Sequence, residues 1–380
     1  MQEKNWRGQL EHHTDPLTIL RGLLCVAIIW HHLQPEAIAS MTLGGKNLFF
    51  LISFPGRISV WLFLVLSGYS IYYGYRAGKY GFGWKDTLRF YFNRAIRILP
   101  LLYVTVLFKW IYMFYRVPEE LPPLGDIVWT LPLLNLNMLE GIYAFTSTWV
   151  IAILVQFYLL APFLVRGYRA LYGRTGPWFS AAVLIGVAMA CHYLGRKAGS
   201  TYDIRNIVGC VPLFLFGFLA CDLLQDRREM LRTFFRRLPA PAVWMAVIVL
   251  FEAAFFLYGY RFDKFLIWPL EAYIGSLGTL LIVLLLLGER NESQGVSTGW
   301  ATRFFAALGQ QSYGLYLWHS LVIGLFIRTG FLPLNLYPHP TLVSLLQTFG
   351  VVTILTYLVS LVFYHILERP YHLLYRDVKR

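Results

Sequence analysis

Charge is scarce in this sequence. Asp, Glu, Lys and Arg make up 14% of the 380 residues, about half the share usual in a soluble domain. That is too little to cover a soluble surface, while 57% of the residues are hydrophobic and the mean hydropathy is +0.55. Lipid is the expected solvent. Cysteine is also rare. Cys25, Cys191, Cys210 and Cys221 form no CxxC pair and sit in or at the ends of apolar runs, which excludes a disulfide framework and a cysteine zinc site. No metal is expected. No cleavable signal peptide is expected, because the first apolar run holds Arg21 and is followed by no small-residue cleavage pattern; it reads as a retained first helix. There is no internal repeat, no low-complexity segment and no sign of an attached soluble domain, so residues 1–380 are expected to form a single membrane domain.

Carboxylates are the scarcer charge, 20 against 33 Lys and Arg, for a net +13. In a soluble protein that balance would point to nucleic acid. Here the cations lie in short loops between apolar runs, so membrane topology accounts for them and no nucleic-acid partner is expected.

About ten runs approach the roughly 20 apolar residues needed to cross a bilayer. They are Leu17–Leu33, Ile58–Tyr75, Ile98–Tyr115, Thr148–Val165, Trp178–Leu194, Ile207–Ala220, Ala242–Tyr258, Phe265–Leu287, Ser312–Ile327 and Leu342–Ile366. With the N-terminus inside, 22 Lys and Arg fall in cytoplasmic segments and nine outside, while Arg21 and Lys109 lie within spans. That asymmetry predicts an all-α polytopic bundle with both termini in the cytoplasm.

Ionisable groups inside spans need a partner or a function. Arg21 and His32 are eleven positions apart, which puts them on one helix face and roughly 16 Å apart along the axis. One face thus carries a cation near the inner end and a titratable base near the outer end. Snorkelling of Arg21 to the headgroups is the plainer alternative. Arg94 and Arg97 share a face at i and i+3 near the inner boundary, either as a phosphate-binding fork or as ordinary inside-positive charge.

These residues, with others, resemble the acyltransferase-3 family of integral membrane acyltransferases. The resemblance rests on the Arg21 to His32 spacing, on Val60 to Ser67-Gly68-Tyr69, and on Arg94-Ala-Ile-Arg97. It continues through Trp149 to Gln156-Phe-Tyr and Pro162, Ser312-Tyr313 to Trp318-His319, and Glu368-Arg369-Pro370. One departure stands out: family members usually carry a glutamate just before Gln-Phe-Tyr, where this chain has Leu154 and Val155. Glu252 and Glu271, in the outer parts of the seventh and eighth spans, are positional substitutes, or else acids paired with nearby cations. Ser59 and Trp61 stand where Gly and Asp are frequent in the family.

The resemblance implies an O-acyltransferase. The donor would be acyl-CoA, most often acetyl-CoA, and the acceptor a carbohydrate hydroxyl beyond or within a bacterial inner membrane. Arg94, Arg97 and Arg21 would hold the polyanionic donor, and His32 would act as general base; a covalent acyl-histidine is an open alternative. Ser67, Tyr313 and His319 are candidates for oxyanion or acceptor contacts, although helix–helix hydrogen bonding explains such residues too. Trp149 is placed to stack on a sugar, and Glu368 with Arg369 reads as an ion pair. A transporter or flippase for a glycan or lipid-linked intermediate is the competing class; the lack of a repeated half argues against it.

Overall fold

Backbone polar groups cannot be left unpaired in lipid, so apolar runs of this length resolve into helices. The computed structural model describes residues 15–33, 42–43, 46–47, 56–116, 118–121, 149–197, 207–259, 270–287, 299–325 and 342–369. Helix α1 is Pro16–Leu33, and a two-residue antiparallel ladder follows, β1 Thr42–Leu43 paired with β2 Lys46–Asn47. Next come α2 Gly56–Arg76, α3 Trp84–Arg116 and α4 Trp149–Lys197. After them run α5 Ile207–Asp226, α6 Arg228–Arg236, α7 Ala240–Gly259 and α8 Leu270–Leu287. The last are α9 Trp300–Gln310, α10 Ser312–Ile323 and α11 Leu342–Phe363, the last passing into a π turn over Tyr364–Glu368. Asp15 caps α1, its carboxylate accepting from the Leu17 N–H at 3.1 Å and the Thr18 hydroxyl at 3.0 Å.

Among the described residues six helices are long and apolar enough to span, or seven if α6 and the start of α7 count as one bent span. The ten runs expected from the sequence map onto these helices unevenly, and parts of Phe265–Leu287 and Ser312–Ile327 lie outside the described residues. Helix α4 covers two of them. Straight, its 49 residues would run roughly 74 Å, over twice the hydrocarbon core. It breaks at Gly176, where φ is 74° and ψ −177°, just before Pro177. Helix α8 carries a shorter apolar segment, Ala272–Leu287, and Gln311 interrupts the run from α9 into α10.

Helix α5 is apolar on all sides over most of its length, and such a helix belongs in the middle. It is buried almost throughout, with α2, α4 and α8 packed around it. Helices α2 and α5 meet through Gly68 and Gly217. A Cβ on Gly68 would fall on the Phe214 carbonyl, and one on Gly217 on the Val65 carbonyl. Only small residues permit so close a backbone approach, which accounts for the glycine of Ser67-Gly68-Tyr69.

The sequence expectation ended the α5 span at Ala220; the helix continues to Asp226. The reason is charge pairing. Arg76, at the end of α2, reaches Asp222 at 2.9 Å and Asp226 at 2.8 Å, and the Tyr72 hydroxyl donates to Asp222 at 2.9 Å. Paired this way, the two carboxylates extend the helix instead of ending it.

The Asp222 side chain is fully buried, whereas that of Asp226 is 38% exposed. Asp222→Ala is therefore expected to cost about 3 kcal/mol by leaving Arg76 without its buried partner. Asp226→Ala should cost well under half of that. Thermal unfolding of both variants in detergent checks the ordering.

Candidate active site

The site is assembled from α1, α2, α3, α4 and α10. A cavity of about 150 Å³ opens among them, lined by Arg21, Arg94 and Arg97 together with Ser67, Tyr313 and Tyr316. The three expected donor-binding cations thus face one space, and no Asp or Glu stands in its wall among the described residues.

Each cation is held differently. Arg21 Nη2 donates to Ser70 Oγ at 2.8 Å, and that hydroxyl donates onward to the Leu66 carbonyl at 2.8 Å. Arg94 Nη2 donates to the Tyr80 hydroxyl at 2.7 Å. Its guanidinium also lies 5.4 Å from the ring centre of Phe90 and 5.5 Å from that of Tyr158, within cation–π range. The buried Arg94 Nε has no hydrogen-bond partner among the described residues. Arg97 is exposed toward the cavity mouth.

Ser67 and Tyr313 also line the cavity, but their hydroxyl protons are engaged. Ser67 Oγ donates to the Phe63 carbonyl at 2.8 Å, and Tyr313 Oη to the Ile98 carbonyl at 2.7 Å. As placed, Ser67 offers a ligand lone pairs, and Tyr313 is a strut between α10 and α3.

His32 lies beyond the cavity, at the far end of α1. Its Nδ1 is 2.8 Å from the Ile28 carbonyl. A carbonyl only accepts, so Nδ1 carries the proton and Nε2 keeps its lone pair. The residue is exposed. Its ring centre is 4.8 Å from that of His319, which is fully buried. The Nδ1 of His319 donates to the Tyr316 carbonyl at 2.7 Å, and its Nε2 has no hydrogen-bond partner among the described residues. The site therefore holds two imidazoles, each with its Nδ1 bound to a backbone carbonyl. Tyr316 joins the two halves: it lines the cavity, and its ring stands 5.8 Å from that of His319.

The other expected residues lie apart. Trp149 is half-buried at the start of α4, outside the cavity wall, and Glu252 is exposed on α7. The side chains of Glu271 and Glu368 lie outside the described residues, as does Pro370. Leu154, where the family's glutamate usually stands, forms part of the cavity wall. Lys109 was not singled out by the sequence. It is 2% exposed on α3 and near enough for its charge to act on both His32 and His319. The signal was a lysine inside an apolar span. Among the described residues no group of His, Cys, Asp and Glu is arranged to hold a metal.

The family model of the acyltransferase-3 domain matches residues 16–365, nearly the whole chain. The chain belongs to the acyltransferase-3 family. No curated protein and no solved structure matches it. As an acyltransferase-3 member it is an integral membrane acyltransferase, and the cavity-lining residues and both imidazoles fall within the matched region.

The different settings of Arg94 and Arg97 separate structure from ligand binding. Arg94→Ala should lower stability by about 2 kcal/mol, through the lost Tyr80 hydrogen bond and ring contacts. Arg97→Ala, which removes an exposed side chain, should leave the unfolding midpoint within about 1 °C of wild type. Melting curves of the two purified variants test this.

Proposed function

We propose that the protein transfers an acyl group, most simply acetyl, from acyl-CoA on its basic face to a carbohydrate hydroxyl on the opposite face or on a lipid-linked glycan. The observation that supports this best is the three-arginine cavity with Tyr316 in its wall and the imidazole pair in contact beside Tyr316. Both termini would lie on the basic side, in a bacterial inner membrane, with residues 1–380 acting as one domain.

In this reading Arg94 and Arg97 hold the donor's phosphates and Arg21 contacts it further in. The thioester then lies near Tyr316. His32 Nε2 takes the proton of the acceptor hydroxyl as that oxygen attacks the thioester carbonyl carbon. When the tetrahedral intermediate collapses, the C–S bond breaks and the thiolate leaves. The proton held by His32 passes to the thiolate, so the base is restored and the products are an ester and free CoA. The nearby Lys109 charge favours the oxyanion of the intermediate. His319, buried beside His32, holds that ring in place. The missing fourth-span glutamate fits this scheme, because the Ile28 carbonyl already orients His32. Glu252 and Glu271 would then be dispensable, and Trp149, Ser67 and Tyr313 would shape the site without moving a proton.

The test is release of CoA from acetyl-CoA by protein in nanodiscs, with and without a crude glycan extract. His32→Ala should lower the glycan-dependent rate by 10²–10⁴-fold, on the order expected for loss of a general base. Arg97→Gln should weaken CoA binding about tenfold with little change in rate at saturation. Glycan-dependent release that survives His32→Ala would remove His32 from the chemistry. A folded protein that neither binds nor consumes acyl-CoA would defeat the reading and favour a transporter.

A further inference from the structure

The segment Arg227-Arg-Glu-Met-Leu-Arg-Thr-Phe-Phe-Arg-Arg237 holds five arginines and one glutamate. Its helix, α6, has no buried residue, which is unusual for an element wedged between the central helix and a candidate span. At about 100° per residue, Arg228, Arg232 and Arg236 make one stripe, Met230 and Phe234 lie opposite it, and Leu231 and Phe235 lie on the flank beside Arg228.

The apolar residues divide in two. Leu231 and Phe235 pack against the main core, whereas Met230 is 45% and Phe234 57% exposed. That exposed strip continues through Leu238 onto Trp244, Met245 and Ile248 of α7, all exposed. On a candidate membrane helix such a row faces acyl chains. Helix α6 meets α7 at 104°, so if α7 crosses the bilayer, α6 lies nearly in its plane. The level fits as well. Trp84, Trp178 and Trp300 are 75%, 67% and 82% exposed, and each begins a helix, or the second limb of α4, on the side that the charge asymmetry of the sequence assigns to the cytoplasm. Exposed tryptophans gather where headgroups meet hydrocarbon.

The arginines are fixed from one side only. Arg228 Nη2 donates to the Leu286 carbonyl at 3.2 Å, tying α6 to the end of α8. Arg232 approaches Glu229 at 3.5 Å, but that glutamate is 81% exposed, so the pairing is weak. Arg227, Arg236 and Arg237 are exposed.

We propose that α6 is an in-plane anchor whose arginine face binds the phosphate headgroups of anionic phospholipid. Met230 and Phe234 enter the acyl-chain boundary, as in interfacial amphipathic helices. The arginines then reach headgroup oxygens as bidentate donors. A soluble phosphate would satisfy the arginines but not the apolar row, and this is why the ligand is a lipid.

The full chain is reconstituted in nanodiscs of equal phosphatidylcholine and phosphatidylglycerol, and retained lipids are counted by native mass spectrometry. Wild type should retain phosphatidylglycerol in excess. The Arg232→Gln/Arg236→Gln/Arg237→Gln variant should lose that preference, by about fivefold per arginine that touches a headgroup, with its melting point in pure phosphatidylcholine unchanged. Phe234→Ser should reduce retention of both lipids alike. Single Arg236→Gln provides the same reading if the triple variant folds poorly. An unchanged phosphatidylglycerol preference in the arginine variants would overturn the proposal. So would an equal loss from Lys85→Gln/Arg89→Gln, which alters charge at the same end but away from α6, or full displacement of the lipid by millimolar inorganic phosphate.

Discussion

Three guanidinium groups face one cavity whose wall, among the described residues, contains no carboxylate, and much of the architecture answers that constraint. Like charges at close range repel, the more so where water is partly excluded. The protein holds two of them with neutral partners: Arg21 by a serine hydroxyl, Arg94 by a tyrosine hydroxyl and aromatic faces. Such contacts fix direction without cancelling charge, so the cavity keeps a standing attraction for anions. Arg76, on the same helix as Ser70, is treated in the opposite way. It meets two carboxylates, and its charge is consumed in joining α2 to α5. Neutralised cations hold helices together here, and uncancelled ones face the void.

The frame keeps that void open. The glycine contact between α2 and α5 lets two backbones touch and makes one wall stiff. Tyr313, bonded to the Ile98 carbonyl, holds α10 against α3 on another side. Tyr316 lies one turn further along α10, and its own carbonyl orients His319. A shift of α10 would therefore change the cavity end and the imidazole pair together. One short helix thus links the cavity end to the imidazole pair.

Much of this was legible in the sequence, and the gaps have physical causes. The Arg21 to His32 spacing and the Arg94, Arg97 pair depend on helix periodicity alone, and the cavity contains all three arginines. The contact between His32 and His319 joins residues far apart in the chain, so no local pattern announces it. The length of α5 was underestimated because an apolar run ends at Ala220, and a sequence does not show that Arg76 lies opposite the next two acids. Lys109 was visible as a lysine in a span, but its meaning depends on the two histidines it faces. Leu154 was noticed as a departure; only the fold shows that it makes the cavity wall apolar at that point.

The orientation of the two imidazoles has one more consequence. Each ring has given its only neutral-state proton to a backbone carbonyl, Ile28 in one case and Tyr316 in the other. On His32, the exposed ring, what remains is an unshared electron pair at Nε2, so a guest that hydrogen-bonds to the neutral ring there must bring hydrogen with it. Alcohols and amines have such a proton to give, whereas deprotonated carboxylates, ketones and ethers have none. The His319 ring, fully buried, stands behind it.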